Sequence, residues 1–414
     1  MMFLTENEKQ MLAGANGRTV SKAMEILTAL GDIYGAENMV AINSVHLPGA
    51  SVVIAGDSGV KFVEDMSAGI NRLAVFTTLN PSAFDRSQWP EFKLKEDEPA
   101  LQIRLTEAYE KIGAISCHSC TPYLVGNIPR MGEHIAWGES SAVIYANSVL
   151  GARTNREGGP SALASAITGL TPAYGYHLGQ NRKGQLLIKV TVPVNGFYDY
   201  GNLGYYVGKI AEERIPVFTG IPASVSVDEL KSMGAALASS GAVALFHIIG
   251  VTPEAPTLET AFGGNEPIEI HNVGEKEFKT VEEKLNKAPG NVTDWVFLGC
   301  PHTSIQEYAH IASLLEGKHL NSGVELWVAS SKAVIALAES MGFSDIIESA
   351  GGRIVCGTCP VNTLSDKIAR RNGYQSISTN SAKMAHYMPG QFNILTRYGS
   401  TKQCIDAAIS GYWE

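Results

Sequence analysis

The spacing of hydrophobic residues divides the chain into a helical N-terminal stretch and later stretches in which short strands and helices mix. Apolar residues at helical spacing within 6–35, bounded by glycines, predict helices. The runs VAINSVHL (40–47) and SVVIAG (51–56) are short, β-branched and bounded by turn residues, which predicts strands. Helical patterns return at 101–112 and at 161–167. The first part of the chain therefore combines helices with strands.

A more regular pattern begins at residue 215, where strand-like and helical runs follow each other in turn. Strand, helix and strand are predicted over 215–250, and the same order repeats from Asp294 onward. The charged stretch 273–288 predicts a surface helix or a boundary, and 383–400 predicts a loop and a strand before a closing helix. Alternation of this kind is typical of a parallel sheet covered by helices.

The predicted fold is therefore α/β, with parallel sheets covered by helices and with more than one domain. At roughly 150 residues per domain, a chain of 414 residues holds two or three domains. The changes of pattern place the boundaries at 1–214 for a first α/β domain, 215–290 for a second and 291–414 for a third.

Composition narrows the class of protein. Apolar residues make up 45% of the chain and charged residues 18%, which allows a large core and argues against disorder. A formal net charge of −9 without a basic patch argues against nucleic acid as a partner. No apolar run approaches a membrane span and the N-terminus lacks the regions of a signal peptide. We therefore expect no membrane association and a reducing cytoplasm, in which the six cysteines remain thiols.

Three cysteines carry the strongest chemical signal. Cys300 and Cys359 directly precede proline, Cys120 precedes it by one further residue, and each follows an apolar run in a short polar turn. Proline suits the first turn of a helix, where free N–H groups and the helix dipole stabilise a thiolate. Three thiolates from distant segments can hold an iron–sulfur cluster and leave one iron open as a Lewis acid. We therefore predict such a cluster on these residues.

Other interpretations of the cysteines stay open. Cys117 with Cys120, and Cys356 with Cys359, form two CxxC pairs with the local spacing of a zinc site, so a non-catalytic zinc protein is the alternative of a different class. Zinc ribbons place their second pair about 15 to 20 residues on, whereas most of this chain lies between the two pairs. Free cysteines are also often inert core residues, as we expect for Cys404.

A dense polar run between residues 134 and 180 predicts a binding site. Arginine suits bidentate binding of a carboxylate or phosphate, which favours this interpretation over an internal hydrogen-bond network. His302 follows Cys300 closely, so we expect it to touch substrate or cluster. Lys383 could bind an anion or lie in a solvated loop. The candidates within the polar run are Glu139, Ser140, Ser141, Asn147, Arg153, Asn155 and Arg156.

Five segments, in this order along the chain, resemble the aconitase X family: CTPY, WGESSAVIYANSVLGARTNREGG, GVTPEAP, GCPH and TCPV. The second of them is long and highly specific. The resemblance implies a multi-domain, aconitase-like α/β/α architecture with a cluster site between domains. It also implies that the protein is a dehydratase, that is, a hydro-lyase. It also implies that Cys120, Cys300 and Cys359 are the cluster ligands. For the cluster we prefer the [4Fe–4S] type.

The resemblance further implies a partner and a substrate class. The chain is similar to the family's large catalytic subunit, so a small swivel-domain subunit is implied, and in the wider superfamily that domain carries a serine base. Members dehydrate a small hydroxy acid, either (R)-5-phosphomevalonate to trans-anhydromevalonate 5-phosphate in a mevalonate pathway for isoprenoids, or cis-3-hydroxy-L-proline. We favour the first, because a separate large subunit suits that group. In the mechanism that an open iron predicts, Arg153, Asn155 and Arg156 hold the acid group, while Glu139 and His302 orient or protonate the leaving oxygen.

Overall fold

Parallel sheets covered by helices form the framework of the protein over residues 2–92 and 99–414, which the computed structural model describes. The predicted α/β class is thereby confirmed. Four short 3₁₀ helices accompany the main elements within this part of the chain, at Trp89–Phe92, Pro122–Leu124, Gly175–His177 and Gly179–Arg182.

The N-terminal part is built around a three-stranded parallel sheet of order β3-β2-β4 and a separate antiparallel pair, β1 with β5. Its strands are β1 (Met39–Ala41), β2 (Ser44–Leu47), β3 (Phe76–Leu79), β4 (Ala136–Trp137) and β5 (Leu170–Pro172). Its helices are α1 (Glu6–Leu12), α2 (Arg18–Tyr34), α3 (Val52–Ala68), α4 (Ala100–Lys111), α5 (Ser140–Ser148) and α6 (Gly159–Thr168).

One prediction for this region is wrong: the run SVVIAG forms the start of helix α3 instead of a strand. The side chain of Ser51 accepts a hydrogen bond from the backbone N–H of Val53 and so caps the helix. The helix kinks at Gly56, whose φ of 59° lies in the left-handed region that glycine tolerates. The cap and the following helical turns therefore override the strand preference of the two valines and the isoleucine.

The middle part holds a four-stranded parallel sheet of order β8-β7-β6-β9. Its strands are β6 (Leu186–Val190), β7 (Pro216–Thr219), β8 (His247–Ile248) and β9 (Glu269–Val273), and its helices are α7 (Gly196–Ala211), α8 (Val227–Gly241), α9 (Leu258–Phe262) and α10 (Glu275–Leu285). The boundary expected at 214/215 falls inside this sheet, because β6 and α7 precede it. We propose that the second unit begins ahead of β6.

Helices α7 and α8 approach each other closely at a pair of glycines. A Cβ atom built on Gly241 would lie 1.7 Å from the carbonyl oxygen of Gly208, and one built on Gly208 would lie 2.8 Å from that of Leu237. Any side chain at Gly241 would therefore force the two helices apart.

The C-terminal part contains a five-stranded parallel sheet of order β12-β11-β10-β13-β14. Its strands are β10 (Trp295–Leu298), β11 (Glu325–Ser330), β12 (Arg353–Cys356), β13 (Ser376–Thr379) and β14 (Leu395–Tyr398). Its helices are α11 (Ile305–Leu315), α12 (Lys332–Ser340), α13 (Phe343–Ser349), α14 (Ser365–Asn372), α15 (Ala382–Phe392) and α16 (Thr401–Ser410). The loop predicted from residue 383 is wrong, because Ser381 caps α15 and the helix continues through Pro389.

Candidate active site

A cavity of about 230 Å³ lies where the carboxyl ends of two parallel sheets face each other. Loops that follow β2, β3 and β4 form one side, and loops that follow β10, β12 and β13 form the other. In open α/β sheets, ligands bind outside the carboxyl ends of the strands. The wall contains Pro48, Gly49, Ile54, Asn80, Cys120, Glu139, Ser140, Gly299, Cys300, Cys359, Val361, Asn362, Lys383, Tyr387 and Gln391.

The three predicted cysteines meet at this cavity. Cys300 follows the end of β10 and Cys359 follows the end of β12, while Cys120 follows a segment that pairs with β3 through Ile115. All three are buried, at 5–7% exposure, and all are free thiols. Burial raises the pKa of Cys300 to about 12, and it likewise raises the pKa of Cys120 and of Cys359. Parallel strand ends therefore bring three sequence-distant thiols to one place.

Hydrogen-bond donors approach two of the sulfurs. The backbone N–H of His302 points to Cys120 Sγ at 3.2 Å, and Asn362 Nδ2 points to Cys359 Sγ at 3.3 Å. The expected placement of Cys300 and Cys359 at helix mouths is wrong, because α11 begins only at Ile305 and α14 only at Ser365. Local donors in the loops take the place of helix N–H groups.

Glu139 is the most heavily bonded side chain of the cavity wall. It is the N-cap residue of α5, and its Oε1 accepts hydrogen bonds from the N–H and hydroxyl of Ser141 and from the hydroxyl of Ser140. Lys383 Nζ lies 2.5 Å from the same oxygen, and Asn80 Nδ2 donates to Oε2 at 2.9 Å. Burial acts to raise the pKa of Glu139, but the charge and hydrogen bond of Lys383 outweigh it and lower the pKa to about 2. Glu139 is therefore ionised at neutral pH.

Lys383 lies on the first turn of α15 and is only 8% exposed, so the alternative of a solvated loop does not hold. Its Nζ also lies 3.3 Å from the hydroxyls of Ser140 and Ser141. Burial acts to lower its pKa, but Glu139 and Cys300 raise the pKa above its usual value. The N-termini of α3, α5 and α15 all reach the cavity, so their dipoles add to this positive charge.

Asn80 is a cavity residue that the sequence analysis missed. It follows β3 directly, and its Oδ1 lies 3.4 Å from Nε2 of His46, whose Nδ1 lies 2.9 Å from the Thr78 hydroxyl. Burial lowers the pKa of His46 to about 4, so the ring is neutral at pH 7. The available signal was the apolar, β-branched run LAVFTTL (73–79), for which no strand was predicted, with a polar residue directly after it. Asn362, Tyr387 and Gln391 were missed as well, and they carried no such signal.

His302 is not among the described wall residues of the cavity. The side chain is fully buried at 0% exposure, and Nε2 lies 3.1 Å from the carbonyl oxygen of Thr358, which precedes Cys359. Burial lowers the pKa of His302 to about 4. We expected His302 to touch substrate or cluster; its described contacts are with the cysteine loops, which is the side of the site where a cluster would lie.

Two of the predicted substrate ligands, Asn147 and Arg153, lie outside the described cavity wall and form hydrogen bonds within the protein. Asn147 is fully buried, accepts a hydrogen bond from the Thr154 N–H at 3.0 Å and donates to the carbonyl oxygens of Thr154 and Ala244, each at 2.9 Å. Arg153 Nη1 donates to the His177 carbonyl oxygen at 3.2 Å. Around these two residues the polar run forms an internal hydrogen-bond network, which was the alternative interpretation of the run.

Asn155 and Arg156 also lie away from the cavity wall. Asn155 Nδ2 donates to the Tyr174 carbonyl oxygen at 3.1 Å, and its Oδ1 accepts from the Tyr176 N–H at 2.9 Å. Arg156 is exposed and pairs through its backbone with Trp137. Of the polar run, the structure thus brings Glu139, Ser140 and Ser141 to the site and leaves the four later residues outside it.

The two CxxC pairs do not converge as a zinc site requires. One cysteine of each pair, Cys120 and Cys359, lines the cavity, while Cys117 Sγ lies 3.4 Å from the Leu79 carbonyl oxygen. Over residues 2–92 and 99–414, no group of three or more Cys, His, Asp or Glu side chains is arranged to hold a single metal ion. An iron–sulfur cluster makes a different demand, because its cysteines ligate separate irons.

In the same described residues, no helix combines the length and hydrophobicity needed to cross a bilayer.

Comparison with known proteins connects this site to a family. Three domain models match in order: the aconitase X first domain over residues 1–180, the second domain over 184–283 and the third domain over 293–410. The crystal structure of Thermococcus kodakaraensis aconitase X in its holo-form superposes with a TM-score of 0.87 at 39% identity. That likeness covers 98% of this chain and 100% of the other.

Relatives of known name agree with these matches. The phosphomevalonate dehydratase large subunit of Methanothermobacter thermautotrophicus is 46% identical over 94% of both chains, and that of Methanocaldococcus jannaschii is 44% identical over 94% of this chain and 95% of its own. The cis-3-hydroxy-L-proline dehydratase of Pseudomonas aeruginosa is 36% identical over 98% of this chain but only 69% of its own. The matches extend along nearly the whole chain, and so the protein belongs to the aconitase X family.

Proposed function

We propose that the chain is the large subunit of a hydro-lyase that removes water from (R)-5-phosphomevalonate to give trans-anhydromevalonate 5-phosphate. Relatives named phosphomevalonate dehydratase large subunit, at 40–46% identity, support this substrate. The observation that carries the proposal is the cavity itself, where three buried cysteines face the ion pair of Glu139 and Lys383.

We further propose that Cys120, Cys300 and Cys359 hold an iron–sulfur cluster, of the [4Fe–4S] type. The donor set supports it, since three thiols face one cavity and two of the sulfurs accept hydrogen bonds from His302 and Asn362. Such bonds to cluster sulfurs are a means by which proteins tune these cofactors. When bound, the cluster supplies a Lewis acid for the substrate hydroxyl group.

The residues around the cysteines provide for an anionic substrate. Lys383 is an ammonium group, and together with Ser140 and the amide of Asn80 it can bind the carboxylate of a hydroxy acid. Glu139 remains ionised and holds Lys383, both serines and Asn80 in place. A carboxylate held at so low a pKa donates no proton, so its role is to orient the other groups. The elimination itself removes a proton from the carbon beside the carboxylate and the hydroxyl group from the next carbon.

The base for that proton is proposed to come from a small subunit. The phosphomevalonate dehydratase relatives are named as large subunits, and the cis-3-hydroxy-L-proline dehydratases are longer than this chain, which covers 69% of their length. A swivel domain that docks over the cavity would bring a serine base and exclude water from the site. A complex of the two subunits in the cytoplasm is the expected functional form.

The second candidate substrate is cis-3-hydroxy-L-proline, which the 35–36% identical relatives act on by name. Both substrates should be assayed under nitrogen with the chain co-expressed with the small subunit, and the same complex with Cys300→Ala gives the background. We expect kcat/KM for phosphomevalonate to exceed that for hydroxyproline by about 100-fold or more, because a polar site discriminates strongly between differently charged ligands. The reverse preference would replace the first substrate by the second.

A further inference from the structure

A lysine buried in the middle of the protein plays no part in the function described so far. Lys231 lies on α8 and is 2% exposed. Its ammonium forms ion pairs with Glu307 on α11 and with Asp228, whose Oδ1 lies 3.2 Å away. Asp228 in turn accepts a hydrogen bond from the Ser304 hydroxyl at 2.6 Å. These charged side chains thus connect α8, in the middle part of the protein, to the start of α11, which follows Cys300 in the chain.

The same ammonium donates a hydrogen bond of 3.1 Å to the carbonyl oxygen of His302. His302 contacts all three cysteine loops. It stands two positions after Cys300, its N–H points to Cys120 Sγ at 3.2 Å, and its ring lies 3.1 Å from the carbonyl oxygen of Thr358. The position of His302 therefore affects the loops of Cys120, Cys300 and Cys359 together.

We propose that Lys231 is a positioning residue for the cysteine site, which it controls from the middle part of the protein by holding the carbonyl group of His302. This inference rests on the proposed function, because it assumes that the three cysteines bind a cluster. Partners that orient metal ligands commonly change metal affinity by about 10- to 100-fold when they are removed.

The charges around Lys231 support a specific contact between its ammonium and the His302 carbonyl oxygen. A buried ammonium without partners is costly, and here two carboxylates and one carbonyl oxygen surround it. Burial acts to lower the pKa of Lys231, but Glu307 and Asp228 raise it above its usual value, so the group stays charged. Two carboxylates more than balance the single positive charge of the lysine, so the third contact, to the His302 carbonyl, is not needed for charge and is directed at the cysteine loops.

The test must separate this contact from the ion pairs. Lys231→Met alone would leave two partly buried carboxylates without their cation and destabilise the fold. The informative variant is therefore the neutral triple change Lys231→Met, Asp228→Asn and Glu307→Gln. Glu307→Gln alone is the matched control, since it disturbs the ion pairs but leaves the lysine on the His302 carbonyl. Where the triple variant does not fold, Lys231→Gln on the same background replaces it, because glutamine can pair with the neighbouring amides but is shorter than lysine.

The readouts are iron release to a chelator and the EPR spectrum of the reduced cluster, both on anaerobically purified protein with the unfolding temperature measured in parallel. We expect the folded neutral variant to release iron about tenfold faster and to show a changed spectrum, while Glu307→Gln stays close to the parent protein. Unchanged release and an unchanged spectrum in a folded neutral variant would overturn the inference and leave the proposed function intact. A parent protein that contains no iron or sulfide would instead overturn both.

Discussion

Replacement of Cys300 by alanine is expected to give a folded, colourless protein that contains no stable cluster and has no dehydratase activity. The same result is expected for Cys120→Ala and Cys359→Ala. Each thiol reaches the cavity from a different loop, and none of the other described wall residues is a cysteine that could substitute for the missing one. The loss of one ligand leaves an iron without its protein bond, and the cluster is then released.

Iron and labile sulfide content, with the visible spectrum, measure this loss directly on anaerobically purified protein. Cys404→Ala is the matched control, because Cys404 is also buried but lies on α16 and packs into the hydrophobic core, away from the cavity. We expect that variant to keep its cluster and to lose only a little stability. A Cys404→Ala protein without iron, beside a Cys300→Ala protein that retains it, would contradict the assignment of ligands.

Lys383→Met is expected to lower kcat/KM by about 10²- to 10³-fold while the cluster remains bound. Among the described wall residues, Lys383 is the one with a cationic side chain. Its Nζ lies 3.3 Å from the hydroxyls of Ser140 and Ser141. Without it, the substrate carboxylate meets the negative charge of Glu139 and of the cluster. Steady-state kinetics of the complete complex, with iron content determined on the same samples, measure the effect.

Two further variants separate substrate binding from stability in this experiment. Lys383→Met with Glu139→Gln removes the unpaired carboxylate, so it should recover folding stability but not activity. Lys402→Met is the control for a lysine in an ion pair, since Lys402 pairs with Asp406 at the surface and is 68% exposed. Normal kinetics in Lys383→Met would place this lysine among the purely structural residues.

The cysteine site was predictable because its signal is local in the sequence. Cys300 and Cys359 stand before proline and Cys120 nearly so, and each follows a strand-like run. Because parallel strands end at the same edge of a sheet, such turns meet in space even when they are far apart in the chain. Helix α15 was not predictable in this way, because Pro389 argues against a helix and only the serine cap at Ser381 argues for it.

The polar run shows where sequence reasoning fails. Glu139 and Asn147 lie close together in the same segment, yet one caps α5 at the cavity and the other is buried at the far end of that helix. Polar density alone cannot distinguish a binding site from a buried hydrogen-bond network, because both satisfy the same groups. Lys231 was overlooked for a related reason, since a lysine in a helical pattern is normally on the surface.

The most direct test of the account is the rate of phosphomevalonate dehydration by the anaerobically purified chain, measured with and without the small subunit. The account predicts that the chain alone contains iron and sulfide but forms no anhydromevalonate phosphate, and that addition of the small subunit starts turnover. Full activity of the chain alone, with no small subunit detectable by mass spectrometry, or a fully active complex without iron, would contradict it.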